Sequence, residues 1–96
     1  MPDSRYLQII LRFADPKRFS DQFLSVKQAF DRNSGDWLKV DTGTWIVWTD
    51  KSVLDWYNIL IPFMTQADYI IIYRVDFSER YGWAQQWIWE WIDRKR

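Results

Sequence analysis

The chain has 96 residues, 13 basic and 13 acidic, is 48% apolar and 20% aromatic, and contains neither Cys nor His. Its size is that of one domain, and its apolar content excludes disorder. Without Cys and His there is no disulfide framework, thiol nucleophile, Ser-His pair or Cys/His metal cluster, and the balanced charge gives no whole-protein attraction to nucleic acid or anionic membrane.

Taken in chain order, Arg5 to Phe13 (RYLQIILRF) reads as a strand buried on much of both faces. Asp15-Pro16 reads as a helix start, with Asp as N-cap and Pro at the first helical position. Phe19, Phe23, Val26 and Phe30 then recur at helical spacing until the turn cluster Asn33-Ser34-Gly35. Trp37 to Thr49 reads as a β-hairpin around Asp41-Thr42-Gly43, with Trp45 facing the helices and Trp48 the opposite side. Thr49 or Asp50 is the expected cap of a second helix, whose apolar face would be Val53, Tyr57, Leu60, Ile61 and Met64. Pro62 should tighten its last turn. Tyr69 to Asp76 (YIIIYRVD) is the fourth strand. The tail, residues 81–96, reads as a helix opened by Ser78 or Gly82, with Trp83, Trp87 and Trp91 as one ridge and Arg94, Lys95 and Arg96 at its negative end.

No apolar run approaches ~18 residues and MPDSRYLQ lacks a signal-peptide layout, so a cytoplasmic protein without a leader or membrane span is expected. The order β-α-β-β-α-β is the split βαβ, or ferredoxin-like, pattern. It predicts one α+β domain over residues 1–96, with a four-stranded antiparallel sheet in the order 4-1-3-2 and two helices on one face. The other face would carry rings that are costly to leave wet. The Trp-rich tail, a second copy or a ligand should cover it.

The segment DTGTWIVWTDKSVLDWYNILIPFMTQADYIIIYRVD resembles the SinR-like and VapD-like relatives of the second Cas protein, the small CRISPR-associated nuclease. The matching residues are Thr44, Trp45, Ile46, Val47, Thr49, Asp50, Ser52, Asp68 and Tyr69, within residues 37–76. The resemblance implies a ferredoxin-like fold that dimerises through its sheets. It also implies, for nuclease members, an Asp at the end of the first strand that holds a divalent metal. Here the nearest positions are Leu11 and Arg12, and Asp15 follows as the candidate metal ligand or, read from its neighbours, as a helix cap.

Other constellations are weaker. Asp76 and Glu79 flank a turn, as an acid–base pair or as solvated loop charges. Asp31, Asp36 and Asp41 lack the register of a calcium loop, and no Ser-x-x-Lys occurs. Thr42 to Trp48 is similar to part of the signature of RNA-binding sheets. Arg12, Arg74 and Trp48 are therefore the candidate nucleic-acid contacts. Between Gly82 and Ile92 the only charge is Glu90, which disfavours a membrane-surface helix and leaves Trp83, Trp87 and Trp91 as candidate interface residues. The expected function is that of a non-catalytic binding or structural protein, a homodimer without cofactor, whose partner is a second copy or another protein. The alternatives are a metal-dependent ribonuclease using Asp15, or an RNA- or DNA-binding sheet.

Overall fold

The computed structural model describes residues 4–95; the expectations for residues 1–3 and for Arg96 lie outside the described residues. In chain order the elements are β1 (Arg5–Arg12), α1 (Pro16–Asn33), β2 (Asp36–Asp41), β3 (Thr44–Thr49), α2 (Val53–Leu60), β4 (Tyr69–Val75) and α3 (Gln86–Lys95). The strands form one antiparallel sheet in the order β2-β3-β1-β4, which is the expected order read from the other edge.

Local chemistry explains the element ends. Asp15 Oδ1 accepts the Lys17 N–H at 2.9 Å, and Pro16 opens α1, whose own missing N–H would have no partner there. Ser34 closes α1 by directing both its N–H and its hydroxyl to the Phe30 carbonyl. The cap of α2 is Ser52, not Thr49 or Asp50. Ser52 Oγ accepts the Asp55 N–H and the Asp55 carboxylate accepts the Ser52 N–H, a reciprocal capping box. Thr49 is otherwise engaged, since its buried hydroxyl accepts the Lys51 N–H and the Trp56 indole N–H. Pro62 lies in a 3₁₀ turn, Ile61–Phe63, that tightens the end of α2.

The β2–β3 turn is narrowed by Asp41, whose carboxylate accepts the Gly43 N–H at 3.0 Å. Gly43 is required for space. A Cβ there would sit 2.6 Å from the Leu11 carbonyl oxygen and against the Arg12 guanidinium.

On the face covered by α1 and α2, Phe30 stacks on Trp45 (5.3 Å) and on Trp56 (5.4 Å), closing over Leu7, Ile9, Leu11 and Val47. Trp45 faces the helices as expected, and alternation then turns Ile46 and Trp48 to the other side. Of the expected α2 face, Leu60 is buried and Met64 packs on the same core, but Val53 and Tyr57 are exposed and Trp56 takes the inward position instead. The helix is apolar around most of its girth, so periodicity alone admitted either phase. Asp68 pins the loop before β4. Its buried carboxylate accepts from the Ala14 N–H, the Thr65 N–H and hydroxyl, and Arg18, which also donates to the Phe63 carbonyl. The Ala14 N–H above all, then Arg18 and Thr65, hold that carboxyl well below the usual carboxylate range despite the opposing cost of burial.

The opposite face is partly covered by α3. Tyr6, Leu38, Ile46, Trp91 and Ile92 form a second buried cluster, flanked by Trp48, Val75, Phe77, Ile88 and Trp89. The helix begins at Gln86, later than Ser78 or Gly82. Trp83 therefore precedes it and is 102% exposed, Trp87 is 50% exposed, and only Trp91, at 5%, is buried. The expected Trp83–Trp87–Trp91 ridge does not form. The face that docks is instead Ile88, Trp91 and Ile92, spaced at i, i+3 and i+4.

Candidate functional site

The register places every strand side chain on one face or the other. Leu7, Ile9 and Leu11 point to α1 and α2, so Tyr6, Gln8, Ile10 and Arg12 point to the α3 side. Opposite Arg12, Ile10, Gln8 and Tyr6 on β4 stand Tyr69, Ile71, Tyr73 and Val75. On β3, Thr44, Ile46 and Trp48 stand opposite Ile10, Gln8 and Tyr6.

Helix α3 covers only the corner of this face made by Tyr6, Ile46, Leu38 and Trp48. Three polar contacts hold it there. The Tyr6 hydroxyl donates to the Ile92 carbonyl, the Trp91 indole N–H donates to Asp36 at 3.0 Å, and the Lys95 ammonium meets Asp36 at 2.8 Å. Burial alone would push the Asp36 carboxyl up. Hydrogen bonds from Lys95, the Trp37 N–H and Trp91 outweigh it and bring the group below its ordinary value.

The β4 half of the face stays uncovered. Tyr69, Ile71 and Tyr73 are 52%, 48% and 42% exposed, in a row on an edge strand. Ile10, half-buried, sits beside Ile71, and Arg12 is the one charged strand residue on the uncovered part. Exposed singly such residues need no explanation, but a contiguous strip marks an interaction surface. Sequence reasoning missed Tyr69, Ile71 and Tyr73 as site residues. The signal was present in the period-two spacing Tyr-x-Ile-x-Tyr of a strand that closes the sheet.

Of the sequence-predicted nucleic-acid contacts, Arg74 and Trp48 line one cleft, while Arg12 lies apart from them. Arg12 and Arg74 lie on opposite faces, because Arg74 stands opposite Leu7 while Arg12 stands opposite Tyr69. Arg12 borders an open cleft of about 580 Å³ with Leu11, Phe13, Phe19 and Gly43. Arg74 borders another of about 330 Å³ with Trp48, Arg5 and Phe77. Trp48 is half-buried against the Tyr6 ring at 4.9 Å and is part of the seat of α3. Asp15 uses its carboxylate to cap α1. Among the described residues no group of three or more acidic side chains could hold a metal ion, and no helix is long and apolar enough to cross a membrane. Lys39 is a cation the sequence did not flag. Its ammonium lies over the rings of Phe23 (4.6 Å), Phe19 (5.4 Å) and Trp45 (5.7 Å), on the helix face and away from the strip.

No protein-family model matches the chain, and comparison with curated proteins and with solved structures finds no match either.

Proposed function

We propose that the chain is a non-catalytic binding or structural protein of ferredoxin-like fold that works as a homodimer through the uncovered β4 side of its sheet. The observation that carries this reading is the exposed row Tyr69, Ile71 and Tyr73 on an edge strand, beside the corner of the face that α3 covers. The strand order and the placing of α1 and α2 on one face support the ferredoxin-like assignment. Kinship with the SinR-like and VapD-like relatives of the CRISPR-associated nuclease, and a cytoplasmic location with it, rest on the segment 37–76 and belong to the same proposal.

A protein surface is favoured over nucleic acid by charge. Phosphate contacts dominate nucleic-acid affinity, and Arg12 is the one cation among the strand residues of the strip. The ribonuclease alternative would need Asp15 released from its cap. Light scattering on the full chain, with labelled RNA and DNA incubated in Mg²⁺, Mn²⁺ or EDTA, tests the proposal. The expected results are twice the 11.9 kDa chain mass and intact nucleic acid. EDTA-sensitive cleavage that Asp15→Ala abolishes would overturn it in favour of the nuclease.

A further inference from the structure

The two edges of the sheet differ in how they treat a neighbouring strand. β2 is short, bulged between Lys39 and Asp41, and carries Asp36, Lys39 and Asp41. Those are the devices by which natural edges refuse a partner. β4 has neither bulge nor Lys. It runs seven residues in unbroken register with β1, without Pro or Lys, and Arg74 is its one charge. Its outward hydrogen-bonding groups can be assigned. The Leu11 N–H bonds the Gly43 carbonyl at 2.8 Å, on the β3 side. Successive backbone groups alternate direction, so Gln8, Ile10 and Arg12 bond toward β4 and meet Tyr73, Ile71 and Tyr69. The N–H and C=O groups of Ile70, Ile72 and Arg74 therefore point to the free edge.

The sequence along that edge is self-complementary. Asp68-Tyr69-Ile70-Ile71-Ile72-Tyr73-Arg74 is a palindrome about Ile71 with opposite charges at its ends. We propose that two copies of the chain pair antiparallel through their β4 edges, with a two-fold axis at Ile71, to make one eight-stranded sheet. This rests on the homodimer reading above and supplies its interface.

A two-fold contact requires that whatever residue i meets, that residue meets i in return. With Ile71 on the axis, Tyr69 faces Tyr73 of the second copy, Ile70 faces Ile72, and Arg74 falls beside the Asp68–Arg18 ion pair. The Ile70–Ile72 pairs exchange the outward hydrogen bonds, and the exposed strips of the two copies join into one. Moving the axis to Ile72 would set Tyr69 against Val75. Cross-strand aromatic pairs stabilise a sheet, and only the Ile71 register sets Tyr69 against Tyr73, which selects it.

Edge pairing leaves the joined strip on the open face, so what it buries is the two backbone edges and the facing flanks of Tyr69 and Tyr73. Helix α2, packed beside β4 on the other face, carries exposed Leu54 and Tyr57.

The absence of Cys from the sequence makes the register directly testable. Ile71 residues related by the axis form a non-hydrogen-bonded pair with Cα atoms about 4.5 Å apart, within disulfide range. Under diamide, Ile71→Cys should run mostly at twice the chain mass on a non-reducing gel. A mixture of Tyr69→Cys and Tyr73→Cys should cross-link while Val40→Cys, exposed on the far edge strand, stays single. If the unsubstituted chain scatters as a dimer but Ile71→Cys does not cross-link, the interface lies elsewhere and only this inference falls. The same holds if Val40→Cys cross-links equally. A monomer at every concentration overturns both the inference and the homodimer reading.

Discussion

The two faces of the sheet are both rich in rings but are sealed by different means. On one, α1 and α2 bring Phe30 and Trp56 over the sheet, Phe30 stacking on both Trp45 and Trp56, and the buried cluster runs over Leu7, Ile9 and Leu11 of β1 and Trp45 and Val47 of β3. On the other, a ten-residue helix at the end of an irregular segment covers one corner and leaves the β4 half open. The first face makes the fold. The second is assembled from a smaller cluster and three polar contacts, so it should loosen first and carry the binding surface.

This difference can be broken at either end. Trp45→Ala removes the sheet end of the stacked triplet centred on Phe30 and should cost about 3–5 kcal/mol in a denaturant melt, unfolding the whole chain. Trp91→Ala should cost less, about 2–3 kcal/mol, because α3 can lift away rather than leave a cavity. Its signature is dye binding to the exposed Tyr6, Leu38 and Ile46 surface while the Trp45 side stays protected. Equal losses in the two variants, with one cooperative transition, would show that the faces are not separable.

Much of the first face was legible in the sequence. The steps between Phe19, Phe23, Val26 and Phe30 gave α1, and Asp15-Pro16 gave its start. Strand alternation put Trp45 inward and Ile46 outward. The second face, the phase of α2 and the placing of the two Arg residues were not legible, for three reasons. The four-residue steps among the tail Trp residues suggested one ridge, but α3 does not begin until Gln86, and Trp83 lies before it. α2 is apolar at both Tyr57 and Trp56, so its phase was set by packing on Phe30 rather than by pattern. The opposition of Arg12 and Arg74 depends on the β1–β4 register, which neither strand's composition dictates.

Smaller effects sharpen the contrast. Ser52→Ala breaks the capping box of α2 and Asp15→Ala the cap of α1. Each should lower stability by about 0.5–2 kcal/mol, with no change in oligomeric state. Acid should act on the second face through Asp36. Its folded carboxyl titrates below the unfolded value of ~3.9, so its stabilising contribution is complete above that pH. That contribution is lost as the pH falls through the lower folded value. Near-ultraviolet circular dichroism should show the Trp91 environment relaxing below about pH 4, and Asp36→Asn should remove that component of the pH dependence. Trp83→Ala should change stability by less than about 0.5 kcal/mol, since its side chain is fully exposed. A large loss there would restore the tail ridge.

The most direct test of edge pairing is amide exchange at Ile70 and Ile72, followed by nuclear magnetic resonance as protein concentration rises. Their N–H groups point away from β1, so within a monomer they face solvent, while those of Ile71 and Tyr73 are bonded to the neighbouring strand. Pairing of two β4 edges predicts protection of Ile70 and Ile72 that grows with concentration, and already strong protection of Ile71 at every concentration. Rapid exchange at Ile70 and Ile72 across the whole range, with Ile71 protected, would contradict it.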